Sequence, residues 1–297
     1  MKIGVANYPI TLHKNLEEWK EHVEKWVIQG NEAELLVFPE YGSMEMASIL
    51  PEEKDPKVQV SAMQTYLDAF KSCYAALAEK YKKIIVAPSF PLLWENKVIN
   101  RVFVFGPKGE EVGYQDKWFM TPFERFDWDV APGEPKLTVF ETPKGSFGIQ
   151  ICYDSEFSIG SRLLAENGAD LILLPSCTET LRGATRVHVG ARARALENQC
   201  YTAVSQTIGE ALWSSAVDYN YGYTGFYSSP DLGLPEDGIL QLGPKQLQGW
   251  LIQELDFSLN QRIRKEGGVR NFEDHQKILQ VHKDFKFEIV RKKIEVG

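Results

Sequence analysis

Three residues of this sequence could share one piece of chemistry, and each follows directly on a run that reads as a buried strand. Leu35-Leu36-Val37-Phe38-Pro39 runs into the carboxylate of Glu40. Val112-Gly113-Tyr114-Gln115-Asp116 runs into the amine of Lys117. Phe147-Gly148-Ile149-Gln150-Ile151 runs into the thiol of Cys152. A thiol with a free pKa of about 8.5 is a poor nucleophile at neutral pH until a base removes its proton. A carboxylate shielded from water can be that base. Attack on a carbonyl or nitrile carbon then builds negative charge on oxygen or nitrogen, which a nearby ammonium stabilises. Glu40, Lys117 and Cys152 therefore supply base, electrophilic stabiliser and nucleophile, and no histidine is needed. Each residue alone has a blander reading: a solvated carboxylate, a surface lysine and a small core side chain.

The elements that must position these residues alternate between strand-like and helix-like patterns. Residues 2–7, 34–38 and 83–87 read as strands, and the stretch around Leu16–Val27 as a helix stopped by Gly30. A long helical stripe lies within 57–82. Segments 98–105 and 111–115 flank Gly106-Pro107-Lys108-Gly109 and read as a hairpin. Strands are expected at 137–141, 147–151, 170–174, 201–206 and 250–255. Helices are expected at 158–167, 184–198 and within 257–282. Segments 89–96, 118–131 and 209–230 read as loops that could wall a pocket. Buried strand runs that end in reactive residues fit an α/β sheet protein, where ligands gather at strand ends. Hairpins mixed with helices favour a sandwich of sheets and helices in one domain over residues 1–297. Residues 257–297 form a C-terminal extension expected to pack on the domain or on a dimer partner.

Composition excludes several classes of function. The formal charge of -8, with no basic block, makes nucleic acid or an anionic membrane an unsuitable partner. No apolar run is long enough to span a bilayer, and the first residues lack the pattern of a signal peptide, so a cytoplasmic protein is expected. Four scattered cysteines (Cys73, Cys152, Cys177, Cys200) form no C-x-x-C pair and no disulfide framework. The five histidines (His13, His22, His188, His275, His282) form no H-E-x-x-H motif, so neither a zinc site nor another metal is expected. No glycine-rich nucleotide motif and no G-x-S-x-G elbow occurs.

The ordered set of motifs resembles the nitrilase superfamily, the carbon–nitrogen hydrolases. It comprises Phe38-Pro39-Glu40, Asp116-Lys117 with Pro122 and Glu124 behind it, and Pro132-Gly133. It continues through Gly148-Ile149-Gln150-Ile151-Cys152-Tyr153-Asp154, Ala169-Asp170, Leu174-Pro175-Ser176 and Arg194-Ala195-Leu196-Glu197-Asn198. These pieces run in family order over nearly the whole chain. The sequence is most similar to an uncharacterised branch, some members of which carry an attached acetyltransferase domain that is not seen in these residues.

The resemblance implies a four-layer α-β-β-α sandwich and a reaction without metal or organic cofactor. It implies a homodimer or higher homo-oligomer joined through the helices that follow the nucleophile. It makes Glu40 the general base, Lys117 the stabiliser of the tetrahedral intermediate and Cys152 the nucleophile. The backbone N–H of Tyr153 would complete an oxyanion site, and Glu124 would orient the lysine or the substrate. Two departures matter. Ser158 stands where many members have proline, and serine there could cap the following helix. Tyr153-Asp154 follows the nucleophile, where nitrile-hydrolysing members typically show Trp-Glu, so a small carboxamide is the expected substrate. An N-carbamoyl compound, a nitrile, acyl transfer to an amine and a catalytically silent amide-binding protein remain alternatives, as does a Cys–His hydrolase of unrelated fold.

Other residues carry weaker expectations. Cys177 reads as a pocket wall, and Cys73 and Cys200 as core residues. His188 reads as a surface or interface residue. Tyr219, Tyr221, Tyr223 and Tyr227 read as packing, with a pocket or dimer wall as the functional alternative. Arg182, Arg186, Arg192 and Arg194 read as a solvated or ion-paired helix face, with a carboxylate anchor for an acidic amide substrate as the alternative.

Overall fold

Residues 1–50, 55–281 and 289–294 are described by the computed structural model. Alternation along its first strand, β1 (Lys2–Pro9), sets the architecture. Ile3 and Val5 face one apolar core, whereas Ala6 and Tyr8 face another. The chain continues through α1 (Leu16–Gln29), β2 (Leu35–Val37), α2 (Pro56–Met63), α3 (Leu67–Tyr81) and β3 (Ile84–Val86). Then come β4 (Phe90–Trp94), β5 (Lys97–Phe105), β6 (Glu111–Asp116), β7 (Phe140–Thr142) and β8 (Gly145–Ile149). The second half adds α4 (Ser158–Glu166), β9 (Leu171–Ser176), α5 (Leu181–Asn198) and β10 (Tyr201–Glu210). It closes with β11 (Tyr219–Asn220), β12 (Gly225–Tyr227), β13 (Ile239–Leu242), β14 (Gly249–Glu254), α6 (Phe257–Glu266) and α7 (Asn271–Val281).

The main sheet runs β4-β5-β3-β2-β1-β10-β9-β8-β7. β1 pairs in parallel with β2 through Ile3, Gly4 and Val5, and with β10 through Asn7, Tyr8 and Pro9. β14 lies antiparallel along β1. The sheet curls at β1 into two facing halves. Ile3, Val5, Val102 and Val104 from one half meet Phe147, Ile149, Leu171 and Leu173 from the other. Helices α1 and α3 cover the outer face of the first half, where Trp19, Val23, Phe70 and Tyr74 pack on Leu36, Phe38 and Phe103. Helices α4 and α5 cover the second half. This is the four-layer α-β-β-α sandwich.

Four local expectations are corrected. The stripe within 57–82 is two helices separated by a 3-10 turn, Gln64–Tyr66. The break falls where Gln64 docks the sheet edge: its Nε2 donates to Val60 O and Pro91 O, both at 2.8 Å, and its Oε1 accepts from Leu93 N at 3.0 Å. Segment 89–96 is mostly strand β4, not a loop. Pro91 obscures it in sequence but is tolerated on an edge strand. Ser158 is the first helical residue of α4 and makes no side-chain cap, Phe157 being the capping position. His188 is buried, not at the surface: its ring stacks on Tyr223 at 3.7 Å, and the Tyr227 hydroxyl contacts its Nδ1.

The C-terminal helices pack back on their own chain. Phe257 enters the inter-sheet core, Asn260 Nδ2 donates to Asp170 O at 2.9 Å, and the Arg264 guanidinium bonds Asn198 O and Gln199 O. Residues 282–288 and 295–297 of the expected extension lie outside the described residues. Among the described residues no helix is long and apolar enough to cross a membrane.

Candidate active site

Glu40, Lys117 and Cys152 lie just past the ends of β2, β6 and β8, and the curled sheet brings these ends together. Two of the deliveries share a device. After β2 the chain passes through Tyr41 in the left-handed region (φ 54°) into a 3-10 helix, Gly42–Ile49. After β8 it passes through Cys152, also left-handed (φ 48°), into a second 3-10 helix, Cys152–Glu156. A non-glycine residue pays about 1–2 kcal/mol for that conformation, and such residues concentrate at functional sites. Tyr41 is held there by Ser89, whose Oγ accepts from Tyr41 N at 2.8 Å. The Cys152 turn is held by Asp154, whose carboxylate accepts from Phe119 N (2.7 Å), Trp118 N (3.2 Å) and Ile151 N (3.3 Å). It thereby ties the Cys152 turn to the loop behind Lys117. Burial pushes the Asp154 carboxyl up to about 7, against the pull of Lys117 and these N–H groups.

Two glycines permit the close approaches around these turns. A Cβ on Gly133 would stand 2.2 Å from the Cβ of Asp116, so the Pro132-Gly133 motif lets its loop lie on the residue before Lys117. Gly133 N donates to Lys117 O at 3.0 Å, and Asp116 itself is clamped by Arg101 at 2.6 and 2.9 Å. A Cβ on Gly190 would meet Ser155 O at 2.8 Å, so this position lets α5 press on the Cys152 turn.

The three functional groups and Glu124 are all buried. Lys117 Nζ lies 2.7 Å from Glu40 Oε1 and 2.7 Å from Glu124 Oε2. Asn100 Nδ2 bridges the same carboxylates at 2.9 and 3.3 Å. Glu40 Oε2 accepts from Cys177 N at 2.9 Å. Glu124, on a single π-helical turn Phe123–Asp127, also accepts from Tyr41 Oη at 2.8 Å and Thr121 N at 2.9 Å. The Cys152 thiol lies 3.6 Å from Cys177 O.

The electrostatics follow from this geometry. Burial opposes a charge on Lys117, but the Glu124 and Glu40 carboxylates outweigh it and hold the ammonium well above its ordinary value. Burial raises the Glu40 carboxyl, with Lys117 opposing. Burial also acts to raise Glu124, yet Lys117 and the surrounding donors bring it below its ordinary value. Cys152 is pushed well up by burial and by the Glu40 charge, so its resting form is the neutral thiol. An ammonium has three protons. Two are engaged by carboxylates, which leaves one for a developing oxyanion.

These groups open into a cleft of about 420 Å³, also lined by Tyr153, Trp128, Cys177 and Tyr219. That volume suits a small ligand. Cys177 is a wall residue, as expected, and its N–H also positions Glu40. Segments 118–131 and 209–230 contribute walls, but 89–96 does not. Arg186 reaches the cleft and is paired with Glu156, its Nε donating to Oε1 at 2.8 Å. Arg194 is paired with Glu197, and Arg192 bonds Asp237 O. Sequence reasoning missed Asn100, Tyr41 and the anchoring role of Asp154. The one available signal for Asn100 is an amide inside the apolar strand Lys97–Phe105.

A profile of the carbon–nitrogen hydrolase family matches residues 2–245. The chain belongs to that family. It is 32% identical over 279 residues to YhcX, a probable hydrolase of Bacillus subtilis strain 168, covering 93% of this chain and 54% of that protein. The chain therefore spans about half the length of that relative. It is 29% identical over 208 residues to a deaminated glutathione amidase of Synechocystis sp. strain PCC 6803, covering 66% of this chain and 73% of the relative. The solved structure of Saccharomyces cerevisiae Nit3, a member of branch 10 of the nitrilase superfamily, matches with a TM-score of 0.69 at 24% identity. That match covers 89% of this chain and 93% of Nit3. The carbon–nitrogen hydrolase fold is thus the sandwich described above.

Proposed function

We propose that this carbon–nitrogen hydrolase cleaves a small carboxamide through a thioester on Cys152. The observation that carries this reading is the buried contact of Lys117 with Glu40 and Glu124 on the cleft that holds Cys152. Glu40 takes the thiol proton as sulfur attacks the amide carbon. Lys117 and the Tyr153 N–H hold the oxyanion. Glu40 then gives its proton to the departing nitrogen, the C–N bond breaks, and ammonia or an amine leaves. Water, deprotonated by Glu40, attacks the thioester carbon; the C–S bond breaks, Glu40 returns the proton to the Cys152 sulfur, and the carboxylic acid leaves. Glu124 keeps Lys117 charged and in place. The amidase named among the relatives supports an amide over a nitrile, as does Tyr153-Asp154 after the nucleophile.

The test is intact mass and ammonia release with a panel of small amides, nitriles and N-carbamoyl compounds. An acyl adduct mapping to Cys152, with ammonia from amides, is expected. Turnover of nitriles but not amides overturns the substrate class. No adduct and no ammonia, with Cys152 no more reactive to iodoacetamide than an ordinary thiol, favours a silent binding protein.

A pH profile follows from Glu40. Its carboxyl is raised by burial, and only the ionised form accepts the thiol proton. The ratio kcat/KM is therefore expected to fall with acid through an apparent pKa above the ordinary carboxylate value. A profile flat down to that ordinary value would contradict Glu40 as the base.

A further inference from the structure

Outside the cleft, three side chains from separate segments converge beside α1. His13 comes from the turn after β1, His22 from α1, and Glu45 from the 3-10 helix Gly42–Ile49. Their candidate ligand atoms all lie within 4.8 Å of one another. The Glu45 side chain is 1% exposed, that of His13 5% and that of His22 21%, so the group is buried with one imidazole reaching toward solvent.

The carboxylate is fixed before any ion arrives. Tyr8 Oη donates to Glu45 Oε2 at 2.7 Å, and Thr11 N donates to Oε1 at 2.8 Å. Ser48 Oγ donates to Glu45 O at 2.6 Å and accepts from His13 N at 2.9 Å, which joins the two segments. The imidazoles are different. Among the described residues, Nε2 of His13 and Nε2 of His22 are buried atoms with no hydrogen-bond partner at ordinary geometry, and each faces only a Glu45 oxygen. They stand 3.7 and 3.4 Å from the Glu45 oxygens. Both separations are longer than the usual N–H···O distance of about 2.7–3.2 Å and are within ion-pair range. The 3.4 Å separation matches the edge of a tetrahedron around a zinc ion, roughly 3.3–3.4 Å for bonds of roughly 2.0–2.1 Å, and the 3.7 Å separation, to the other carboxylate oxygen, is slightly wider. Two imidazoles and one carboxylate suit zinc better than the oxygen-only sets of magnesium or calcium.

We propose that His13, His22 and Glu45 bind one zinc ion, with water at the fourth position. The ion neutralises the buried carboxylate and ties the turn after β1 to α1 and to the 3-10 helix that begins just past Glu40 and Tyr41. The site is structural and separate from the cleft. Its motif is invisible in sequence because the ligands are spaced over 33 positions (13 to 45) on three elements.

The test uses the full chain, freed of metal with a chelator and titrated with zinc by calorimetry, and with cobalt by absorption. One zinc per chain is expected, with a rise in Tm on binding. Cobalt should give the visible bands of a tetrahedral nitrogen–oxygen site without a thiolate charge-transfer band. That band would place the metal on Cys152 or Cys177 and overturn the proposal. His22→Gln, at the most exposed ligand, should fold and lose at least about a hundredfold in zinc affinity, beyond the tenfold to hundredfold that outer partners typically contribute. It should also lose the zinc-dependent rise in Tm. Glu45→Gln should do the same. Zinc binding unchanged in His22→Gln, or no saturable binding by the wild type, overturns the site. The cobalt spectrum of the wild type decides the matter even if Glu45→Gln does not fold.

Discussion

Cys152→Ala is expected to release no ammonia from any amide that the wild type cleaves, while keeping the wild-type melting temperature. The loss should be on the order of 10⁴-fold or more, because the proposed acyl bond forms on the Cys152 sulfur. Glu40→Gln is expected to lose on the order of 10²–10⁴-fold, the usual contribution of a positioned base. The reason lies in the resting state. Burial and the Glu40 charge keep the Cys152 thiol protonated, and burial brings the Glu40 carboxyl up from its ordinary value. On the proposed mechanism the proton therefore passes from sulfur to Glu40 as attack occurs, and an amide at that position cannot receive it. Glutamine keeps the shape of Glu40 and can still accept from Cys177 N, so the fold should survive. Ammonia release and acyl-adduct formation are the measurements, with thermal melts beside them. Turnover retained in either folded variant would sink the assignment. Loss of turnover in Cys152→Ala with an adduct still appearing on the chain would point to Cys177, the second thiol of the cleft.

Glu40, Lys117 and Cys152 were legible because each follows directly on a strand-like run, and the end of a strand lies at the edge of the sheet. The curl that joins those ends was not legible from periodicity. It depends on β1 pairing with β2 at one end and β10 at the other, a contact between residues 7–9 and 206–208. Asn100 was missed because a single amide in an apolar strand gives no periodic signal; its role exists only where two carboxylates face it. Tyr41 was missed for the same reason, and the left-handed backbone at Tyr41 and Cys152 leaves no glycine to mark it. His188 was misread because its covering residue, Tyr223, comes from beyond the next strand. The arginine face of α5 was read more successfully. Arg194 finds Glu197 one turn away, as local spacing allows, while Arg186 finds Glu156 through tertiary packing.

Lys117→Met is expected to lose both activity and stability, and the two losses should separate on a second substitution. Removing one oxyanion donor, the role proposed for Lys117, typically costs about 10²–10³-fold in kcat, and the same change also disturbs the proposed base Glu40. The stability loss has another origin. Lys117 is the cation shared by two buried carboxylates, and it holds the pKa of each down. Without it, Glu40 and Glu124 face each other unpaired, a change that in buried pairs costs about 3–5 kcal/mol. The strain is relieved if a carboxylate takes up a proton. In the variant the folded-state pKa of that group rises above its unfolded value, so its penalty is absent in acid and grows as pH rises through the raised pKa. Lys117→Met should therefore unfold at lower denaturant than the wild type near neutrality and approach it on acidification. Adding Glu40→Gln removes one of the two charges, so the double variant should regain much of the stability without regaining ammonia release. A single variant as stable as the wild type at neutral pH would contradict the buried ion pairs. A stability recovery accompanied by activity in the double variant would contradict the catalytic roles of both residues.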